Sequence, residues 1–283
     1  TSNAIIVWTL LNFNHNMSKV LSLRHAFHLV DPSPWPLIAS FAGLFLTSGA
    51  VMWMHGYVSG FTLMTLGQML ILSCMYVWWR DIVREATYEG QHTQIVQTGM
   101  RTGVILFIVS EIMFFLGFFW AFFHSSLAPM PDIGGVWPPV GIQTLSPWEI
   151  PFLNTVILLS SGATVTYAHH AVLAGDRKNS MLGLMYTIVL AAIFSMLQAY
   201  EYIEAPFTIS DSVYGACFFM ATGFHGAHVF IATIFLFICL IRLVFHHFTA
   251  EHHFGLEAAI FYWHFVDVVW LFLFVAIYWW GGA

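Results

Sequence analysis

Long apolar stretches separated by short clusters of charge run through almost the whole chain. No charged side chain occurs between Asp31 and Arg80, a span of 48 residues broken by the turn-like His55-Gly56-Tyr57-Val58-Ser59-Gly60. About 20 helical residues cross the hydrocarbon of a bilayer, so this stretch predicts two helices, over about 34–55 and 61–84. A third is predicted over about 95–124, with Arg101 near its start and Glu111 alone in its interior. Charge-free runs of 26 residues after Glu149, 22 after Lys178 and 30 after Asp211 predict three more, over about 149–173, 179–203 and 211–244. A seventh, over about 255–280, carries one acid in its interior, Asp267. The connection over 125–148 is rich in Pro and Gly and predicts an ordered surface loop rather than a further span. Ala4–Leu11 is apolar but too short to cross, and no basic signal-peptide region precedes it. The reading is an all-α polytopic membrane protein, with residues 1–24 an N-terminal segment and 25–283 one seven-helix domain.

Composition narrows this further. Of 283 residues, 59% are hydrophobic and 8% charged, against about 25% charged in soluble domains. The mean hydropathy is +0.78. So few charges cannot solvate a globule of this size. A formal net charge of −6 and the lack of any basic tract exclude nucleic-acid binding. Cys74, Cys217 and Cys239 all lie inside apolar runs, which leaves neither a disulfide framework nor a cysteine-based zinc site.

The charges also orient the chain. With seven spans, Lys19, Arg24, Arg80, Arg84, Arg101, Arg177, Lys178 and Arg242 all fall on the N-terminal side. The opposite connections carry Asp132, Glu149, Glu204 and Asp211, with Glu201 beside them. One span too many or too few would scatter this segregation. The positive-inside rule then places the N-terminus inside and the C-terminus outside.

Several residues are candidates for chemistry. Glu111 sits mid-helix among apolar neighbours, where an acid costs roughly 2.5–3.5 kcal/mol to insert, so it must face protein and be partnered or protonated. Its nearest same-helix cation, Arg101, is about 15 Å away along the axis. A relay acid and a hydrogen-bonded strut between helices both fit. His264 and Asp267, three residues apart, share a helix face and read as an internal pair, a relay or part of a metal site. His225 and His228 have the same spacing, next to Gly223 and Gly226, which suggests polar packing between close helices. Imidazole pairs also invite metal. A bundle-core di-iron site, however, needs Glu-x-x-His from two helices, and only Glu89-Gly90-Gln91-His92, at a membrane surface, matches. The paired histidines His169-His170, His246-His247 and His252-His253 fall at helix ends and read as wet imidazoles. Tyr278-Trp279-Trp280 reads as an interfacial anchor. Trp78-Trp79-Arg80-Asp81, with Arg84 and Glu85, puts aromatics and charges at one helix end, which suits a phospholipid headgroup as well as a snorkelling helix end.

Among seven-helix classes, a retinal protein would need a lysine inside a helix, and Lys19 and Lys178 both lie outside. A G-protein-coupled receptor would have its N-terminus outside. A stand-alone transporter stays open on periodicity alone, although no Gly- or Pro-broken helices recur in matching halves as transporter folds usually show. The chain resembles the subunit III family of cytochrome c oxidase, from about His25 onward. The matching stretches are His25–His28 with Pro32–Pro36, Trp78–Asp81, Ser110-Glu111, Phe119–Pro129, Trp137–Pro139, Asn154–Ser161, Ala168–His170, Glu204–Asp211, Ala221–His225 and Tyr262–Trp270. The wording His124–Pro129 and Glu204–Asp211 is closest to the mitochondrial branch. Residues 1–16 extend beyond the family start expected near Met17.

The resemblance implies a non-catalytic core subunit of the respiratory complex that oxidises cytochrome c, reduces oxygen to water and pumps protons. Haem a, haem a3, CuA and CuB are then expected in partner subunits I and II, and no metal in this chain. It implies a V of two plus five helices around a phospholipid-filled cleft. It also implies subunit I as the main contact, with subunit II and accessory subunits nearby, and a role in stabilising subunit I and supporting proton uptake. By motif match, Trp79, Arg84, Glu85, His92, Arg101 and Arg242 become the headgroup candidates, and Glu111 the buried acid. An equivalent quinol oxidase subunit has the same features, because the electron donor binds elsewhere.

Overall fold

The computed structural model describes residues 25–282. The expectations for Ala4–Leu11, Lys19 and Arg24 lie outside the described residues. Seven helices there are long and apolar enough to cross a membrane: α1 Trp35–Met54, α2 Gly60–Thr87, α3 Gln94–Leu127, α4 Ile150–Leu173, α5 Arg177–Glu204, α6 Ser212–Val244 and α7 Phe254–Leu273. α7 continues as a π-helical stretch over Phe274–Trp280. A single 3-10 turn, Pro131–Ile133, lies in the long connection, which is otherwise irregular, as its Pro and Gly content predicts. No strand occurs among the described residues.

The helix ends follow local chemistry. Pro36 and Pro151 sit in the first turns of α1 and α4, where a missing N–H costs nothing. The Asp176 carboxylate caps α5 by accepting from the Asn179 N–H at 3.1 Å. That bond, with a second from the Asn179 amide, holds the Asp176 carboxyl below its ordinary value. The cap is therefore intact at neutral pH and is lost as the pH falls through that lowered value. α2 and α3 each outrun the predicted span by about a turn, because charged or polar residues beyond the hydrocarbon keep their helical hydrogen bonds in water.

The chain divides into two compact units, residues 1–100 and 101–283. In the first, α1 and α2 pack backbone against backbone. A Cβ added at Gly49 would run into the backbone of Met64, and one at Gly67 into that of Leu46. Small residues that admit such approach drive helix pairing in lipid, where apolar burial supplies little. The Trp35 indole donates to Asp81 at 2.8 Å, tying the start of α1 to the end of α2. Asp81, read from sequence as part of a headgroup cluster, is thus also a structural partner, and Arg80 pairs with it at 2.7 Å.

In the second unit α7 is the central helix, with 67% of its most apolar stretch buried and with α4 and α6 packed against it. Its apolar residues run all round, as befits a helix enclosed by others. α4 and α5 form a close hairpin in which Gly183 lets Ala168 approach. α3 joins through long side chains: Phe115 meets Phe265 of α7, and Phe114 and Phe118 meet Phe224 of α6.

Candidate functional site

The polar residues buried inside the second unit form discrete pairs and small networks. Glu111 of α3 lies 2.7 Å from His228 Nε2 of α6. The other ring nitrogen, Nδ1, donates to the Phe224 carbonyl at 2.6 Å. That bond fixes the hydrogen on Nδ1, so Nε2 and the carboxyl share one proton: either a carboxylic acid donates to a neutral ring, or an imidazolium donates to a carboxylate. Both arrangements satisfy the pair. Its partner comes from another helix, which the own-helix distance to Arg101 could not reveal.

His225 lies on the same face of α6, but its Nε2 faces the Val266 carbonyl of α7 at 3.1 Å. The two histidines therefore reach different helices instead of converging on one point. The expected help from Gly223 and Gly226 is overturned. A Cβ at either would meet open space, because both border an apolar groove of about 320 Å³ with Phe194 and Tyr202. His264 and Asp267 approach to 3.6 Å, too far for a hydrogen bond. His264 also lies 3.2 Å from Thr166 of α4, and Asp267 presses against Gly162, where a Cβ would stand 2.8 Å from its carboxylate. The two remain close within α7, and His264 also reaches α4 through Thr166.

A further network was not legible in the sequence. Glu201, grouped there with the loop acids, is 2% exposed. It accepts from the Tyr278 hydroxyl at 2.6 Å and from the Gln198 amide at 3.0 Å. Gln198 in turn accepts from Asn154 of α4 at 3.3 Å. Tyr278 is thus a buried network residue and not an interfacial anchor, while Trp279 and Trp280 remain exposed. The π stretch turns Tyr278 inward. Only a break from the 3.6-residue period could have signalled this, and an apolar run hides such a break.

The headgroup candidates divide between the two units. In the first, Trp79 and Arg84 are exposed on the last turns of α2, Glu85 is half-buried beside them, and the His92 ring lies tilted beside that of His28 with ring centres 6.0 Å apart. In the second, half-buried Arg242 places its guanidinium 4.4 Å from the Phe248 ring centre. His247 is held below its ordinary value by burial and by the charge of Arg242. Arg101 grips Glu257 with two hydrogen bonds, of 2.8 and 3.1 Å. The wet-imidazole reading is overturned for His253, which is 4% exposed, and for half-buried His169. Their rings meet edge to face, with centres 5.4 Å apart.

The fold and these sites define a polytopic helical membrane protein whose buried polar groups link helix to helix. Comparison with known proteins then identifies its family. The sequence pattern of cytochrome c oxidase subunit III matches residues 25–282. "Cytochrome c oxidase subunit 3" of Prototheca wickerhamii is 65% identical over 260 residues, 92% of this chain and 99% of that protein. The proteins of the same name from Marchantia polymorpha and Arabidopsis thaliana are 65% and 64% identical, over 93% and 92% of this chain and 99% and 98% of their own lengths. The chain belongs to the cytochrome c oxidase subunit III family.

Proposed function

We propose that this chain is the non-catalytic third subunit of a respiratory cytochrome c oxidase, embedded in the mitochondrial inner membrane with its N-terminus toward the matrix. The observation that carries this reading is the match to relatives of that name over nearly their whole length. The redox centres, haem a, haem a3, CuA and CuB, belong to partner subunits in this reading. The chain's own contribution is mechanical and dielectric: it packs against subunit I, stabilises it through turnover and supports proton uptake. The pairing of Glu111 with His228 supports a strut, because each group already has what burial demands. Trp79, Arg84, Glu85, His92, Arg101 and Arg242 serve as headgroup contacts for bound phospholipids. Subunit II and accessory subunits complete the surroundings.

Blue-native electrophoresis of mitochondrial membranes, combined with haem spectroscopy, tests the assignment. The chain should co-migrate with haem a and copper. Solitary migration would refute it and favour a free-standing transporter.

A further inference from the structure

We infer that a groove between α5 and α6 binds one long-chain carboxylate, a fatty-acid anion, whose head rests on Arg177 and Lys178. The inference rests on the membrane-spanning fold and does not depend on the role proposed above. The groove has a volume of about 520 Å³. Met181, Leu182 and Met185 of α5 form one wall, and Leu240 and Val244 of α6 form the other. Arg177 and Lys178 stand at one end. Neither cation is among the headgroup candidates read from the sequence.

The order of the lining residues makes the groove amphipathic. The two cations open α5, at the end where the charge pattern gathers the basic residues. From Lys178 to Met185 the helix axis advances about 10 Å into the apolar span, and beyond the cations every lining residue is apolar. Met181 and Met185 carry unbranched thioether side chains that adapt to a flexible partner. The lining thus asks for an anionic head at the membrane surface and an apolar tail directed inward.

The head end suits an anion of one charge. Arg177 is held in place, with Nε donating to the Leu243 carbonyl at 3.0 Å and Nη2 to the Val244 carbonyl at 2.5 Å. These bonds cover acceptors at the end of α6 that would repel an anion, and they commit two of the three guanidinium nitrogens. Lys178 is exposed beside it. The neighbouring Asp176 carboxylate is engaged by the Asn179 N–H and side-chain amide, so the rim carries two positive charges against one negative. A carboxylate, with two oxygens and one charge, accepts charge-assisted hydrogen bonds from both cations. The groove runs between two helices and takes one chain. A two-chain phospholipid would leave its second chain in bulk lipid, where it gains nothing from this site. The single-chain anion fits both ends.

The test uses the detergent-purified complex containing this chain and a photoreactive palmitate. After illumination, peptide mass spectrometry should place the label on residues 181–185 or 240–244. Unlabelled palmitate should compete for the site, whereas palmitate methyl ester, which keeps the chain and loses the charge, should not. Lys178→Gln, a change at an exposed side chain, should weaken binding about 5-fold. Label spread evenly over the lipid-facing helices, equal competition by the ester, or unchanged binding in Lys178→Gln would overturn the site. Equal competition by phosphatidylglycerol would overturn the fatty acid as its occupant. The competition measurements need no variant to fold.

Discussion

A carboxyl in an apolar helix is tolerated only through the atoms it meets, and Glu111 and Glu201 solve the same problem differently. Glu111 shares a proton with one imidazole, while Glu201 accepts from a phenol and an amide. Glu111→Gln keeps a donor toward His228 and should assemble and respire almost normally. Glu111→Leu strands the buried ring and should lower stability by about 1–3 kcal/mol, read as a lower thermal midpoint of the purified complex. Loss of proton pumping in Glu111→Gln, with assembly and lipid content intact, would make Glu111 a relay acid instead. Tyr278→Phe removes the shortest bond to Glu201 and should cost a similar amount in the same assay, with electron transfer unchanged at low temperature. An unchanged midpoint would mean that Glu201 finds another donor.

At the level of helices, glycines of identical chemistry have opposite meanings. Gly67→Ala sets a methyl group against the backbone of α1 and should separate α1 from α2, lowering the yield of a disulfide engineered between them. Gly223→Ala points into an open groove and should leave assembly within error of the wild type. Equal effects would show that the two glycines do not differ as described. Most of the seven spans were legible in the sequence, because the gaps between charges mirror the thickness of hydrocarbon and the charged ends stay in water. The partners were not. Periodicity says which face of a helix a residue occupies, but Glu111 meets a histidine 117 positions away and His169 meets His253 across three connections. The same blindness made Gly223 look like a packing residue, since spacing alone cannot distinguish a contact from a groove.

For the molecule as a whole, the segregation of charge supports the proposed orientation. The loop between α3 and α4 should be open to protease added from the intermembrane space and protected from the matrix side, as assayed in intact mitochondria and inverted inner-membrane vesicles. Cleavage only from the matrix side would reverse the topology. Phospholipid retention belongs to this scale too. Arg84→Ala combined with Arg242→Ala should loosen bound phospholipid and shorten the enzyme's working life during turnover, measured as lipid phosphorus per haem and as activity decay. Full lipid retention in the double variant would remove both residues from the headgroup contacts.

The π-helical end of α7 has a genetic consequence. Its signature is the bond from the Gly281 N–H to the Ala276 carbonyl, five residues back, so the stretch holds more residues per turn than an α-helix does. Most substitutions there keep the register. Deleting a single codon does not, since each residue removed swings the remainder by about 100° around the axis. Tyr278 would then leave Glu201 and an indole would turn inward in its place. Residues 274–280 should therefore accept changes of letter far more readily than changes of length.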